Sequence, residues 1–126
     1  MRDDLSVLAA DLGDVPEKSG TFFRKAVEVT ARHVRDTGRK NATGLAHAPR
    51  FPFSITYDID ISPAGVVAEV GPDKDRAQGA LGNLIEYGSV NNPPQGIMHG
   101  ALQANEADFE RGIERATDDA LKALGL

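Results

Sequence analysis

Residues 53–61, Phe-Ser-Ile-Thr-Tyr-Asp-Ile-Asp-Ile, alternate apolar and polar side chains without a break. A period of two puts Phe53, Ile55, Tyr57, Ile59 and Ile61 on one face of an extended strand and Ser54, Thr56, Asp58 and Asp60 on the other. The chain must therefore build a sheet with one dry face and one wet face. Ser62-Pro63-Ala64-Gly65 supplies turn chemistry, and the apolar run 66–70 returns as a second strand, which predicts a hairpin.

Around this hairpin the pattern is helical. Leu5, Leu8, Ala9 and Leu12 recur at three or four residues, which predicts a short helix over 3–12 that Gly13 stops. A longer stripe of Phe23, Ala26, Val27, Thr30, Val34 and Thr37 predicts a helix from about 17 to 40, with Gly20 weakening its first turn, Thr21 an alternative start and Gly38 loosening its end. Residues 41–52, rich in Gly, Ala and Pro, read as a long loop, and residues 71–82 as a second, polar one. The apolar segment Leu84-Ile85-Glu86-Tyr87-Gly88 reads as a third strand, broken by Asn91-Asn92-Pro93-Pro94. A closing helix over about 100–124 would bury Leu102, Asn105, Phe109, Ile113, Ala116, Ala120, Leu121 and Leu124. The fold class expected is α+β: a small antiparallel sheet, hairpin plus a third strand, packed against a long N-terminal helix and a C-terminal helix.

With 126 residues, there is room for one domain over 1–126, and few aromatics mean a core of Val, Ile, Leu and Ala. Cysteine is absent, which excludes disulfides and thiolate metal sites. No apolar run has the length of a membrane span, and the acidic start Met1-Arg2-Asp3-Asp4 lacks a signal-peptide pattern. A soluble protein made in the cytoplasm is the expectation. The net charge of -5 argues against a dedicated nucleic-acid binder. That charge is unevenly spread: Arg24, Lys25, Arg32, Arg35, Arg39, Lys40 and Arg50 oppose only Glu28 and Asp36 within 21–50, a local +5 that leaves -10 elsewhere. Such polarity suits head-to-tail contacts between subunits, and equally a solvated basic helix face.

No arrangement of residues carries chemistry. Asp58 and Asp60 alternate on one strand face, roughly 7 Å apart, close enough for a divalent ion but read first as a solvated or subunit-facing strand. His33, His47 and His99 have no metal spacing, and Gly79-Ala80-Leu81-Gly82 lacks the pattern of a phosphate loop. No serine lies in a nucleophile elbow. The expectation is a protein that is not an enzyme, with no cofactor and no metal. Glu86 is the unusual residue, a carboxylate inside an apolar run. Either it lies on the wet face of an edge strand, or with Tyr87 it pins the Asn-Pro loop or a neighbouring subunit through backbone donors.

The order of these pieces resembles the head-to-tail joining, or neck, proteins of long-tailed bacteriophages, the minor tail component or tail completion family. The resemblance rests on Thr43-Gly44-Leu45 between the long helix and the strand from Phe53, on Leu84-Ile85-Glu86-Tyr87-Gly88-Ser89 as the end of a later strand, and on Pro93-Pro94 before a closing amphipathic helix. The chain departs from that pattern at Asn41-Ala42, where the family carries a proline, in the insertion 47–52, and at Ile97-Met98-His99-Gly100 in place of an aromatic and a proline.

The resemblance implies a structural virion protein, assembled in the bacterial cytoplasm. It forms a homo-oligomeric ring, a hexamer, between the head-side connector or stopper proteins and the tail terminator or tail-tube proteins. Genomic DNA passes through the lumen without sequence-specific binding, and no membrane is involved. Candidate interface residues are Arg32, Arg35, Arg39, Arg50, Asp58, Asp60, Glu86 and Tyr87, with the loops 41–52 and 71–82 as candidate contacts to neighbouring rings. Two alternatives stand beside it: a tail terminator capping the tail tube, and a soluble module that recognises a protein through its hairpin edge.

Overall fold

The computed structural model describes residues 6–11, 17–62, 65–89 and 93–125, with residues 6–11 and 17–19 as backbone alone. Among these described residues, three strands and three helices follow in the order β1 (Ser6–Asp11), α1 (Glu17–Asn41), β2 (Ile55–Ser62), β3 (Gly65–Pro72), α2 (Gly82–Tyr87) and α3 (Ile97–Ala123). Short 3-10 turns precede β2 (Phe51–Ser54) and α2 (Gly79–Leu81). The sheet is antiparallel with order β1-β3-β2. The α+β class with two long helices on a small sheet is as the sequence predicts.

The hairpin forms where the alternation places it. Ile55 faces Pro72, Tyr57 faces Val70, Ile59 faces Ala68 and Ile61 faces Val66. Ile55, Val66, Ala68, Val70 and Pro72 are buried beneath the helices, whereas Asp58 and Asp60 are exposed on the other face. Phe53 falls just before β2, in the 3-10 turn, and is 68% exposed. The Asp73 amide donates to the Ser54 carbonyl at 2.8 Å. Because hydrogen-bonded pairs alternate along an antiparallel ladder, Pro72 and Ile55 form a pair that exchanges no bonds, and the missing proline N–H costs β2 nothing. Pro63 and Ala64 of the predicted turn lie outside the described residues.

Two segments differ from the sequence reading. Residues 6–11 are a strand, not part of a helix: Ser6 pairs with Val70 and Asp11 with Gly65. A tertiary demand overrides the helical spacing here. β3 is the central, buried strand, and after β2 occupies one of its edges the backbone groups on the other still need partners. The rest of the predicted 3–12 helix lies outside the described residues. The second difference is at residues 84–88, where the predicted third strand is instead the short helix α2, ended by Gly88. An apolar run this short does not distinguish strand from helix by its period. Leu84 and Tyr87 project outward while Ile85 and Glu86 turn inward.

α1 lies across the sheet and α3 packs antiparallel on it. Asn41 Nδ2 donates to the Ile97 carbonyl at one end, Asn105 Nδ2 donates to Thr37 Oγ1 at 3.1 Å, and a Cβ on Gly112 would stand 3.8 Å from Ala26 at the other. Phe23, Val27, Thr30, Ala31 and Val34 carry the buried stripe of α1, which continues through Gly38 instead of loosening there. Gly38 makes a close contact with α3: a Cβ there would meet Met98 Sδ at 3.1 Å. On α3, Ala101, Asn105, Ala116 and Ala120 are buried, joined by Ile97 and Met98, which precede the predicted helix start; Leu121 and Leu124 are exposed.

Candidate functional site: a two-loop pole beside an open strand edge

The two loops of the sequence analysis meet at one end of the molecule. The Arg50 amide donates to Gln78 Oε1 at 2.6 Å, and Arg76 reaches the Phe53 carbonyl at 3.4 Å. The Asp73 side chain accepts from the Asp75 amide at 2.9 Å, which turns the second loop back on itself. Gly79 makes the close approach: a Cβ there would lie 1.8 Å from the Asp73 carbonyl oxygen, so only glycine fits. Inside the first loop, the buried Ser54 hydroxyl donates to Phe51 O at 2.6 Å, fixing the 3-10 turn that pushes Phe53 outward.

The same end holds the start of α3. Its N-cap is Gly96, at φ +58°, which has no side chain to offer the free amides of the first turn. Glu86 supplies the cap from α2. Its carboxylate accepts the Met98 amide at 2.7 Å and the His99 amide at 3.1 Å, and only 7% of the residue is exposed. The Ile85 and Glu86 carbonyls also accept the Gln95 and Gly96 amides. Glu86 thus does not sit on the wet face of an edge strand. It binds backbone donors, as the second sequence reading has it, but those of α3 within its own chain. Tyr87 does not share this task; the residue is 70% exposed.

Arg39, Lys40, Thr43, Leu45, Pro52 and Phe53 are among the residues that line an open cavity of about 450 Å³ on this pole. Arg39 stands in its wall, with Nε bonded to the Ile55 carbonyl at 3.0 Å. Its guanidinium pKa lies below the ordinary arginine value, first through burial and then through repulsion from Arg35 and Arg76, against which Asp36 acts.

From the pole, the arginines of α1 run along β2. Arg32 Nε donates to the Tyr57 hydroxyl at 3.2 Å while its terminal nitrogen pairs with Glu28 at 3.0 Å. Both contacts, Tyr57 foremost, raise the Arg32 pKa. Arg35 pairs with Asp36 and lies 5.4 Å from the centroid of the Tyr57 ring. Asp58 and Asp60 face the opposite side of the sheet, where Asp58 stands across from Glu69. The structure therefore gathers Arg32, Arg35 and Arg39 around β2, places Arg50, Glu86 and Tyr87 at the pole, and sets the two aspartates apart on the open face. Tyr57, Phe53 and Arg76 were missed as site residues. Alternation had assigned Tyr57 and Phe53 to the core, and nothing in the sequence brings Arg76 to Phe53.

Among the described residues no group of three or more His, Asp or Glu side chains is placed to hold a metal ion. No helix among them is long and apolar enough to cross a membrane. Comparison with protein-family models, with curated proteins and with solved structures finds no match.

Proposed function

We propose that this protein is a structural subunit of a long-tailed phage neck, docking onto adjoining rings through the two-loop pole and joining the DNA-filled head to the tail. The observation that carries the reading is the pole itself. Loops 42–54 and 73–81 present Phe53 to solvent beside Arg39, Lys40 and Arg76, and α2 exposes Leu84 and Tyr87. Large exposed apolar side chains, one of them beside cations, held on a scaffold by Gly79 and Glu86, are what a protein–protein contact requires. In this reading the subunits close a hexameric ring within the virion. The sheet face bearing Asp58, Asp60 and Glu69 is the candidate wall of the DNA passage, since an acidic lining repels the duplex and lets it slide.

The order of motifs supports the same reading, and the Leu-Ile-Glu-Tyr-Gly stretch that resembles a strand end is helical here. The test is to block expression of the gene in the parent phage and examine lysates by electron microscopy. Filled heads beside unattached tails of normal length are expected. Tails of irregular length would assign the chain to the tail terminator, and intact infectious particles would refute a neck role. A second reading, a soluble binding module, is favoured by the open edge of β2 and predicts a protein absent from particles.

A further inference from the structure

Among the described residues β2 is an edge strand, and its ladder to β3 fixes which of its backbone groups point outward. With Ser54 and Asp73 a hydrogen-bonded pair, the even-numbered residues of β2 bond to β3 and the odd-numbered ones, Tyr57, Ile59 and Ile61, direct N–H and C=O to the open edge, while the Ile55 N–H turns back to the Pro52 carbonyl. Arg39 already occupies the Ile55 carbonyl. From Tyr57 to Ile61 the edge is a template for one more strand.

The two faces that meet at that edge differ in charge. On the helix face Arg32, Arg35 and Arg39 stand along β2 and outnumber Glu28 and Asp36, which pair with the first two. On the opposite face stand Asp58 and Asp60. A second copy of β2 is a poor occupant. Antiparallel self-pairing in the overlapping registers sets Asp58 and Asp60 against their own counterparts and brings the two arginine rows together. We propose that the β2 edge takes up an extended segment of another protein in which carboxylates alternate with basic or hydroxyl side chains, the carboxylates facing Arg32 and Arg35 and the others facing Asp58 and Asp60. This recognition does not depend on the neck reading; it follows from the edge alone.

The test uses the full chain and a fluorescein-labelled nine-residue peptide in which glutamate alternates with threonine and lysine, read by fluorescence anisotropy at low salt. Saturable binding is expected. The double variant R32E/R35E, both of whose side chains lie at the surface, should weaken it by roughly tenfold or more, as two reversed exposed pairs imply. A peptide with lysine in place of glutamate should regain affinity for that variant, which separates a charge effect from misfolding. N-methylation of alternate peptide amides, which leaves every charge in place, should weaken binding comparably by removing ladder donors. Equal binding of the methylated peptide would overturn the proposal in favour of simple charge attraction. Equal affinity of R32E/R35E, or no binding at all, would also overturn it, as would a peptide-free dimer whose Tyr57, Ile59 and Ile61 amides are already protected from exchange.

Discussion

Replacing Glu86 by alanine should unfold the pole before anything else, and the size of the effect can be worked from two bonds. The carboxylate accepts the amides of Met98 and His99, the second and third residues of α3, at 2.7 and 3.1 Å. Hydrogen bonds to a charged group contribute about 1.5–3 kcal/mol each, and removing the acceptor takes the 2.7 Å bond from the buried Met98 amide. The negative charge also sits at the positive end of a long helix dipole. Together these place E86A about 3–4 kcal/mol below the parent, a large share of the roughly 5–15 kcal/mol that holds a domain together. For a chain of this length that is a fall in Tm of about 10–15 °C. E86Q retains one carbonyl oxygen but turns an amide NH2 toward the other donor, so a loss of about 1–2 kcal/mol is expected. Tyr87→Ala, one residue away and exposed, should stay within about 0.5 kcal/mol. Urea titrations and thermal melts followed by far-UV circular dichroism measure all three. A midpoint for E86A within about 2 °C of the parent would refute the assignment of Glu86 as the cap of α3.

Gly79→Ala drives a methyl group into the Asp73 carbonyl, so a loss of at least about 2 kcal/mol is expected, with amide shift changes concentrated at 50 and 73–79 in NMR spectra; unchanged spectra would show that the loops are not held together there. Phe51, 1% exposed beneath the first loop, should cost about 3–5 kcal/mol on truncation to alanine, measured by thermal melting. Gly38→Ala gains about 1 kcal/mol of helix propensity against displacement of the flexible Met98 side chain. Its stability should stay within about 1 kcal/mol of the parent, and a loss above about 2 kcal/mol would mean that Met98 cannot move.

What the sequence made legible was whatever repeats along the chain. The alternation 53–61 located β2 to within two residues, and the stripe from Phe23 to Val34 located α1, because both signals report a local period set by one buried face. What stayed hidden depends on residues far apart. The spacing of Leu5, Leu8, Ala9 and Leu12 is genuinely helical, and only the second edge of β3 makes residues 6–11 a strand. Glu86 was singled out for being a carboxylate in an apolar run, and the kind of partner it takes was among the readings. That the partner is α3 follows from Gly96 having no side chain, a connection across ten residues that periodicity does not encode. The pole arises the same way: each loop was visible as an interruption, but their meeting through Arg50 and Gln78 was not.

The pairing of β1 with β3 orders events as the chain leaves the ribosome. β2 and β3 are adjacent in sequence and can zip together in about 1–10 μs once both have emerged. β1 emerges first, yet its partner follows only after α1 and β2 have been made, several seconds later at roughly 5–20 residues per second. During that interval the segment Ser6–Asp11 has no native ladder to join. Afterwards it is the element that closes the edge of the valine-bearing central strand. Shortening the chain past Ser6 would therefore remove a gatekeeper as well as a strand, uncovering Val66, Ala68 and Val70 along an edge prone to templated aggregation.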